Sequence, residues 1–101
     1  YIQENYYKKI TLQILAEKFY LSAAQCSNIL KQHMEKGLNV YLMEIRIRKA
    51  KELLDKTEMS VEQISKEVGY PNPKYFFRMF KQATTFTPIE YRKREGRNDV
   101  L

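Results

Sequence analysis

Two stretches of this chain match each other at a nearly constant offset, and that duplication restricts the fold more than any other feature of the sequence. Shifted by 49 positions, Thr11, Leu12, Leu15, Ala16 and Phe19 fall on Ser60, Val61, Ile64, Ser65 and Val68. After one inserted residue, at an offset of 50, Ser22, Cys26, Ile29, Leu30, Lys31 and Gln32 fall on Asn72, Phe76, Met79, Phe80, Lys81 and Gln82. In each copy a capping residue precedes apolar residues at three- and four-residue spacing, a tight turn follows, and a second capped series begins. Each copy therefore reads as a short helix, a turn and a second helix, the outline of a helix-turn-helix. A generic helical hairpin has the same outline, but two copies are too few for a stable stack and a long helical segment separates them.

The rest of the chain fits around this frame as an all-α fold of about seven helices, because only three glycines and three prolines occur and the apolar period stays helical throughout. Ile2, Tyr6 and Ile10 at fourfold spacing predict an opening helix over the first ten residues. Asn39 is placed to cap a long linker helix with the buried stripe Leu42, Ile45, Ala50, Leu53 and Leu54, ending near Thr57. Ser60 with Gln63 makes a capping box, and Gly69 supplies the stop. Asn72 followed by Pro73 opens the series Phe76, Met79, Phe80 and Ala83, and Thr87, Pro88 and Glu90 repeat the device for a last helix bearing Tyr91. The organisation expected is a first helix-turn-helix subdomain over residues 1–38, a linker helix over 39–57, a second subdomain over 58–95 and a flexible tail over 96–101. A linker of that length spans roughly 25 Å, stiff enough to let one molecule reach successive major-groove faces about 34 Å apart; if it holds the helices closer than that, the duplex must bend or one helix must disengage.

Charge and reactive residues narrow the function. The net charge of +6 is concentrated: between residues 71 and 98, seven basic side chains (Lys74, Arg78, Lys81, Arg92, Lys93, Arg94 and Arg97) face only Glu90 and Glu95. A basic segment of that density suits a polyanion, either nucleic acid or an anionic surface. The single cysteine, Cys26, lies on an apolar stripe with no Cys or His at metal-ligand spacing, and His33 stands equally alone. No metal site, cofactor loop or paired nucleophile is present as a motif, so the chain reads as a non-enzyme without a cofactor. A cytoplasmic setting is expected from the lone thiol and the lack of any apolar run of membrane or signal-peptide length. A start at Tyr1 rather than Met suggests a piece of a longer chain.

The spacing of these residues resembles the AraC/XylS family of bacterial transcription regulators. The resemblance is strongest over Ile64 to Arg92, at Val68-Gly69-Tyr70, Tyr75-Phe76, Phe80-Lys81, Thr87-Pro88 and Tyr91-Arg92. Leu15-Ala16-Glu17, Leu21-Ser22, Tyr41-Leu42, Arg46, Ala50 and Leu53-Leu54 support it. Two positions depart from the family pattern: Glu35 and Thr85 stand where a glycine usually follows each recognition helix, with Gly37 a partial substitute for the first. The resemblance implies base-reading positions at Ala24, Ser27 and Asn28 in the first recognition helix and at Pro73, Lys74, Tyr75 and Arg78 in the second. Periodicity points to similar faces. With Cys26, Ile29 and Leu30 inward, Ala23, Ala24, Ser27, Asn28 and Lys31 face outward, and burying Phe76, Met79 and Phe80 leaves Lys74, Phe77, Arg78 and Lys81 outside.

By chemistry, Arg78 can pair with guanine O6 and N7, Asn28 with adenine, and Ala24 can touch a thymine methyl. Ser22, Lys31, Asn72, Lys81 and Arg92 are the phosphate-contact candidates, whereas Arg46, beside Glu44, is expected in a structural salt bridge. The partners implied are double-stranded promoter DNA and RNA polymerase, with an N-terminal sensor or receiver domain outside this chain and, for the full-length protein, a second copy in a homodimer. The competing reading is a helical protein-interaction or anionic-surface module without sequence readout.

Overall fold

The computed structural model describes residues 1–34 and 37–94, the side chains of residues 33 and 34 excepted. Among the described residues the fold is all-helical: α1 (Ile2–Asn5), α2 (Leu12–Lys18), α3 (Ala23–Met34), α4 (Leu38–Lys56), α5 (Val61–Glu67), α6 (Pro73–Thr84) and α7 (Pro88–Lys93). The chain divides into two compact units within α4, the first Tyr1–Ile45 and the second beginning at Arg46. The expected tail and Glu35 lie outside the described residues.

In the first unit the opening helix is shorter than its period predicts. It stops at Asn5, whose side-chain amide donates to the Tyr1 carbonyl at 2.8 Å, and the chain turns as Lys8 N–H donates to the Asn5 carbonyl at 3.0 Å. The turn is needed because Thr11 must be extended to cap α2, accepting from Ile14 N–H at 3.1 Å. Ile10 is buried all the same, not as a helical residue but as the one before the cap, in one cluster with Leu15 four places into α2. These are the positions of a hydrophobic staple. Ala16, Cys26, Leu38 and Leu42 complete the cluster, with Leu12, Leu21 and Leu30 half-buried against it.

Ser22 and Gln25 form a reciprocal capping box at the head of α3, at 3.1 and 2.8 Å. Two residues expected inward are not: Phe19 is 50% exposed, edge-on to Tyr1, and Ile29 is 42% exposed. Together with Leu15, Cys26 and Tyr41 they border an apolar pocket of about 360 Å³. Linker helix α4 begins one residue before Asn39, because the Gly37 carbonyl already accepts from Tyr41 N–H at 3.1 Å and Gly37 takes the capping place.

The second unit has the larger core. Ile47, Ala50, Leu54, Val61, Ile64, Val68, Tyr70, Phe76 and Phe80 are buried, while Leu53 and Met79 are half-buried and Ala83 is exposed. Ile47 escapes the expected stripe since it lies two residues from Ile45, and two residues on a helix face nearly opposite ways. A stripe analysis assigns one face to a helix that here buries more than one. Capping proceeds as the sequence predicts: Ser60 with Gln63 and Thr87 with Glu90 form boxes, and Asn72 Oδ1 accepts from Lys74 N–H at 3.0 Å with Pro73 at the first helical position.

The turns between paired helices close in the same way in both units. After α5, Tyr70 N–H donates to the Ser65 carbonyl at 2.8 Å and Gly69 N–H to the Lys66 carbonyl at 3.1 Å, with Gly69 at φ 106°. That is a Schellman arrangement. After α2, Leu21 N–H donates to the Ala16 carbonyl at 2.8 Å, but the residue at positive φ is Tyr20, at 58° and 95% exposed. Thr85 likewise takes the left-handed conformation at φ 70° at the end of α6, where Thr84 Oγ1 donates to the Phe80 carbonyl at 2.8 Å and accepts from Phe86 N–H at 3.1 Å. Here the fold holds the helix exit without the family's glycine, at a conformational cost to a β-branched residue.

Two predictions follow from these ends. Thr85→Gly and Tyr20→Gly each raise stability by about 0.5–1 kcal/mol in urea unfolding, because glycine removes the left-handed penalty and gives back part of it as chain entropy; Gly69→Ala lowers it, and a loss of stability in both glycine variants contradicts the account. The hydrogen bond from Thr87 N–H holds the Glu90 carboxyl below its ordinary pKa of 4.5, with further help from the Thr87 hydroxyl and the Lys81 charge. A carboxylate with a depressed folded-state pKa stabilises fully above its unfolded value and loses that contribution as pH falls through the lower folded value. An NMR titration should therefore place Glu90 below 4.5; a midpoint at or above it means the box is open in solution.

Candidate nucleic-acid interface

Helix α6 owes its orientation to two fully buried rings. Phe76 and Phe80, four residues apart, contact each other at 5.7 Å between centroids, and Phe80 meets Tyr91 of α7 edge-on at 5.4 Å. Burying that stripe turns Lys74, Tyr75, Arg78, Lys81 and Gln82 to solvent, with Tyr75 43% exposed. No acidic residue interrupts α6, so its outer face carries three cations and no carboxylate. Phe77, expected outside, is half-buried with its ring 6.4 Å from Phe76, and Pro73 is half-buried at the helix start.

The equivalent helix of the first unit is chemically different. On α3, Ala23, Ala24, Asn28 and Lys31 are exposed and Ser27 is half-buried, so the face is made of short side chains and one cation. A face without bulk lets backbone and short polar groups approach a partner closely, whereas the α6 face reaches outward with long charged ones. Ser22 and Asn72 sit at matching helix starts, and each uses a side-chain oxygen for capping. The hydroxyl proton of Ser22 and the amide protons of Asn72 remain the donors these residues can offer an anion.

Arg92, a phosphate-contact candidate by sequence, is also bound within the fold. Its Nε and Nη2 donate to the Leu54 and Thr57 carbonyls, each at 3.2 Å. These carbonyls belong to the end of α4, and the guanidinium brings charged donors to that helix end. Arg94 is held in the same region. Its Nη1 and Nη2 pair with Asp55 Oδ1 and Oδ2 at 3.1 and 3.3 Å, Nη1 also donates to the Tyr91 carbonyl at 2.6 Å, and the group lies 3.6 Å from the Tyr91 ring centroid. Two of the seven cations counted in this segment are thereby held within the fold, while Lys74, Arg78 and Lys81 of α6 and Lys93 of α7 are exposed.

The Arg46 guanidinium lies over the Tyr70 ring, 5.2 Å from the centroid. Tyr70 is buried and its phenol ionises above the ordinary value of 10.0, because desolvation outweighs the opposing charge of Arg46. Sequence reasoning gave Tyr70 no role beyond its place in a Val-Gly-Tyr match. Its ring contacts Tyr75 at 5.8 Å, and the only advance sign of this was two tyrosines flanking a helix start.

A protein with two capped helix-turn-helix units, the outer face of one recognition helix strongly basic, is by architecture of the helix-turn-helix class. A helix-turn-helix domain family model matches residues 15–94, and the chain belongs to that family, in its AraC type. Among relatives, the uncharacterized HTH-type transcriptional regulator YdeC of Bacillus subtilis is 36% identical over 93 residues, which cover 92% of this chain and 32% of that protein. The chain thus spans about a third of the length of that relative. Among solved structures, the C-terminal domain of AraT, a response regulator from Geobacillus stearothermophilus, superimposes with a TM-score of 0.89 at 35% identity, covering 92% of this chain and 78% of that one. The C-terminal domain of the two-component response regulator yesN from Fusobacterium nucleatum gives a TM-score of 0.86 at 35% identity, covering 91% and 90%. The family consists of transcription regulators. Among the described residues no helix is long and apolar enough to cross a membrane.

The division of labour among the arginines is testable by urea unfolding. Arg92→Ala is expected to cost about 1–3 kcal/mol by removing two charged hydrogen bonds to carbonyls at the α4 end, and Arg78→Ala to stay within about 0.5 kcal/mol of the parent. Equal stabilities would return Arg92 to the surface.

Proposed function

We propose that this chain is the DNA-binding output domain of a bacterial transcription regulator, working in the cytoplasm on double-stranded promoter DNA. The observation that carries the reading is the α6 face, where three exposed cations line a helix whose opposite side is sealed by Phe76 and Phe80. In this reading α6 enters the major groove. Arg78 donates in a fork to guanine O6 and N7, a contact worth about 1–3 kcal/mol of discrimination, and Lys74 reads a neighbouring acceptor. Lys81, with Asn72 at the helix start, binds phosphate and fixes the register.

Helix α3 of the first unit makes a second, less charged contact, with Asn28 on adenine, Ala24 on a thymine methyl, Ser27 on a nearby base edge, and Ser22 and Lys31 on phosphate. Arg92 is the weaker phosphate candidate, because two of its five N–H donors are already held by the Leu54 and Thr57 carbonyls. Around this domain we infer an N-terminal sensor or receiver, by analogy with the response-regulator structures, and a partner in RNA polymerase, with dimerisation of the whole protein.

Selection of bound duplexes from a random library tests the reading. The expected product is a bipartite site whose halves are separated by about one helical turn, and Arg78→Ala relaxes base preference in one half only. A library that stays unenriched while the protein binds anionic vesicles contradicts it and favours a surface-binding module.

A further inference from the structure

Arg78 is not an isolated side chain on the outer face of α6. Its guanidinium lies 5.6 Å from the centroid of the Tyr75 ring, less than one turn back along the helix. The Tyr75 ring lies 5.8 Å from the Tyr70 ring at an interplanar angle of 59°, and Tyr70 in turn carries the Arg46 guanidinium 5.2 Å from its centroid. Cation, ring, ring and cation form one row that runs from α4 through the helix-turn-helix turn to the base-facing surface.

The row is fixed at its inner end and loose at its outer one. Tyr70 is 6% exposed, its ring touches Phe76 at 5.8 Å, its N–H donates to the Ser65 carbonyl, and its own carbonyl accepts from the buried Ser65 hydroxyl at 2.5 Å. Tyr70 therefore has little freedom. Tyr75 is 43% exposed and Arg78 is exposed, so the outer members would sample several rotamers if nothing held them. A ring face attracts a guanidinium and restricts it to a plane, and a side chain already restricted loses less entropy when it pairs with a base.

From this geometry we infer that Tyr75 is a positioning residue for Arg78, braced by Tyr70 and Arg46, and that through Arg78 it sets the base preference of the second helix-turn-helix unit. The inference rests on the proposed DNA-binding function. It assigns Tyr75 a role distinct from direct base reading, because its effect runs through the neighbouring guanidinium.

A double-mutant cycle on duplexes selected by the parent protein tests it, with preference for guanine over the other bases at the Arg78 position as the readout. Tyr75→Leu, which keeps apolar bulk but has no ring face, is expected to reduce that preference about threefold, the size of an exposed cation–π contact. Tyr75→Phe keeps the ring and should retain it. In an Arg78→Ala background, Tyr75→Leu should change nothing. Affinity for unselected DNA should be the same in all Tyr75 variants, which a merely structural role would not leave untouched.

A threefold loss that persists in the Arg78→Ala background overturns the inference, since Tyr75 would then read DNA by itself. So does a Tyr75→Leu protein with the parent's preference, or a Tyr75→Phe protein that loses as much as Tyr75→Leu. If the parent selects no duplex, or Arg78→Ala selects the same one, the DNA-reading assignment itself fails, and that outcome is distinct from the others.

Discussion

Burial of Phe76 and Phe80 is the constraint on which the functional surface depends. Both rings are completely buried and in contact with each other, and Phe80 is closed off by Tyr91 from the following helix. Sealing a phenylalanine contributes about 1.5–3 kcal/mol relative to exposing it, so rotating α6 about its axis to hide its charged side would forfeit that term twice. It would also desolvate cations, which is far more costly. The azimuth of Lys74, Tyr75, Arg78 and Lys81 is thus a consequence of core packing, and the exposed face is as well defined as the buried one.

The two units reach the same local geometry with unequal resources. Each has a capped second helix and a turn closed by a six-to-one hydrogen bond, but the second unit places Gly69 at positive φ where the first places Tyr20. The second core holds two phenylalanines at positions where the first holds Cys26 and Leu30, and only Cys26 of that pair is buried. Charge follows the same asymmetry, three cations on α6 against one described cation on α3. A domain built this way would take most of its electrostatic attraction from one recognition helix and use the other for close, short-range contact.

Much of this was legible in residue order, for identifiable reasons. Caps are local chemistry: Thr11, Ser22, Ser60, Asn72 and Thr87 all accept the backbone donors that their spacing predicts. The duplication was legible because both the caps and the core positions repeat. What escaped was tertiary. Ile2, Tyr6 and Ile10 have a helical period, yet the need to present Thr11 in an extended conformation ends the helix at Asn5. Ile47 is buried by a helix that packs on more than one side, and Phe19 and Ile29 are left outside a small core that cannot cover them. Arginines look alike in sequence, and only contacts separate Arg78 at the surface from Arg92 and Arg94, which are bound to the end of α4 and to Asp55. The ring beneath Tyr75 was invisible for the same reason.

The central claim is that the outward faces of α6 and α3 are the surfaces that meet the double helix. Backbone amide shifts recorded while a selected duplex is added to the labelled protein test it directly. The account predicts the largest changes over residues 72–82, smaller ones over residues 22–31, and little movement at Arg92 and Arg94. Changes concentrated on α7 and the end of α4, with α6 unperturbed, would contradict it.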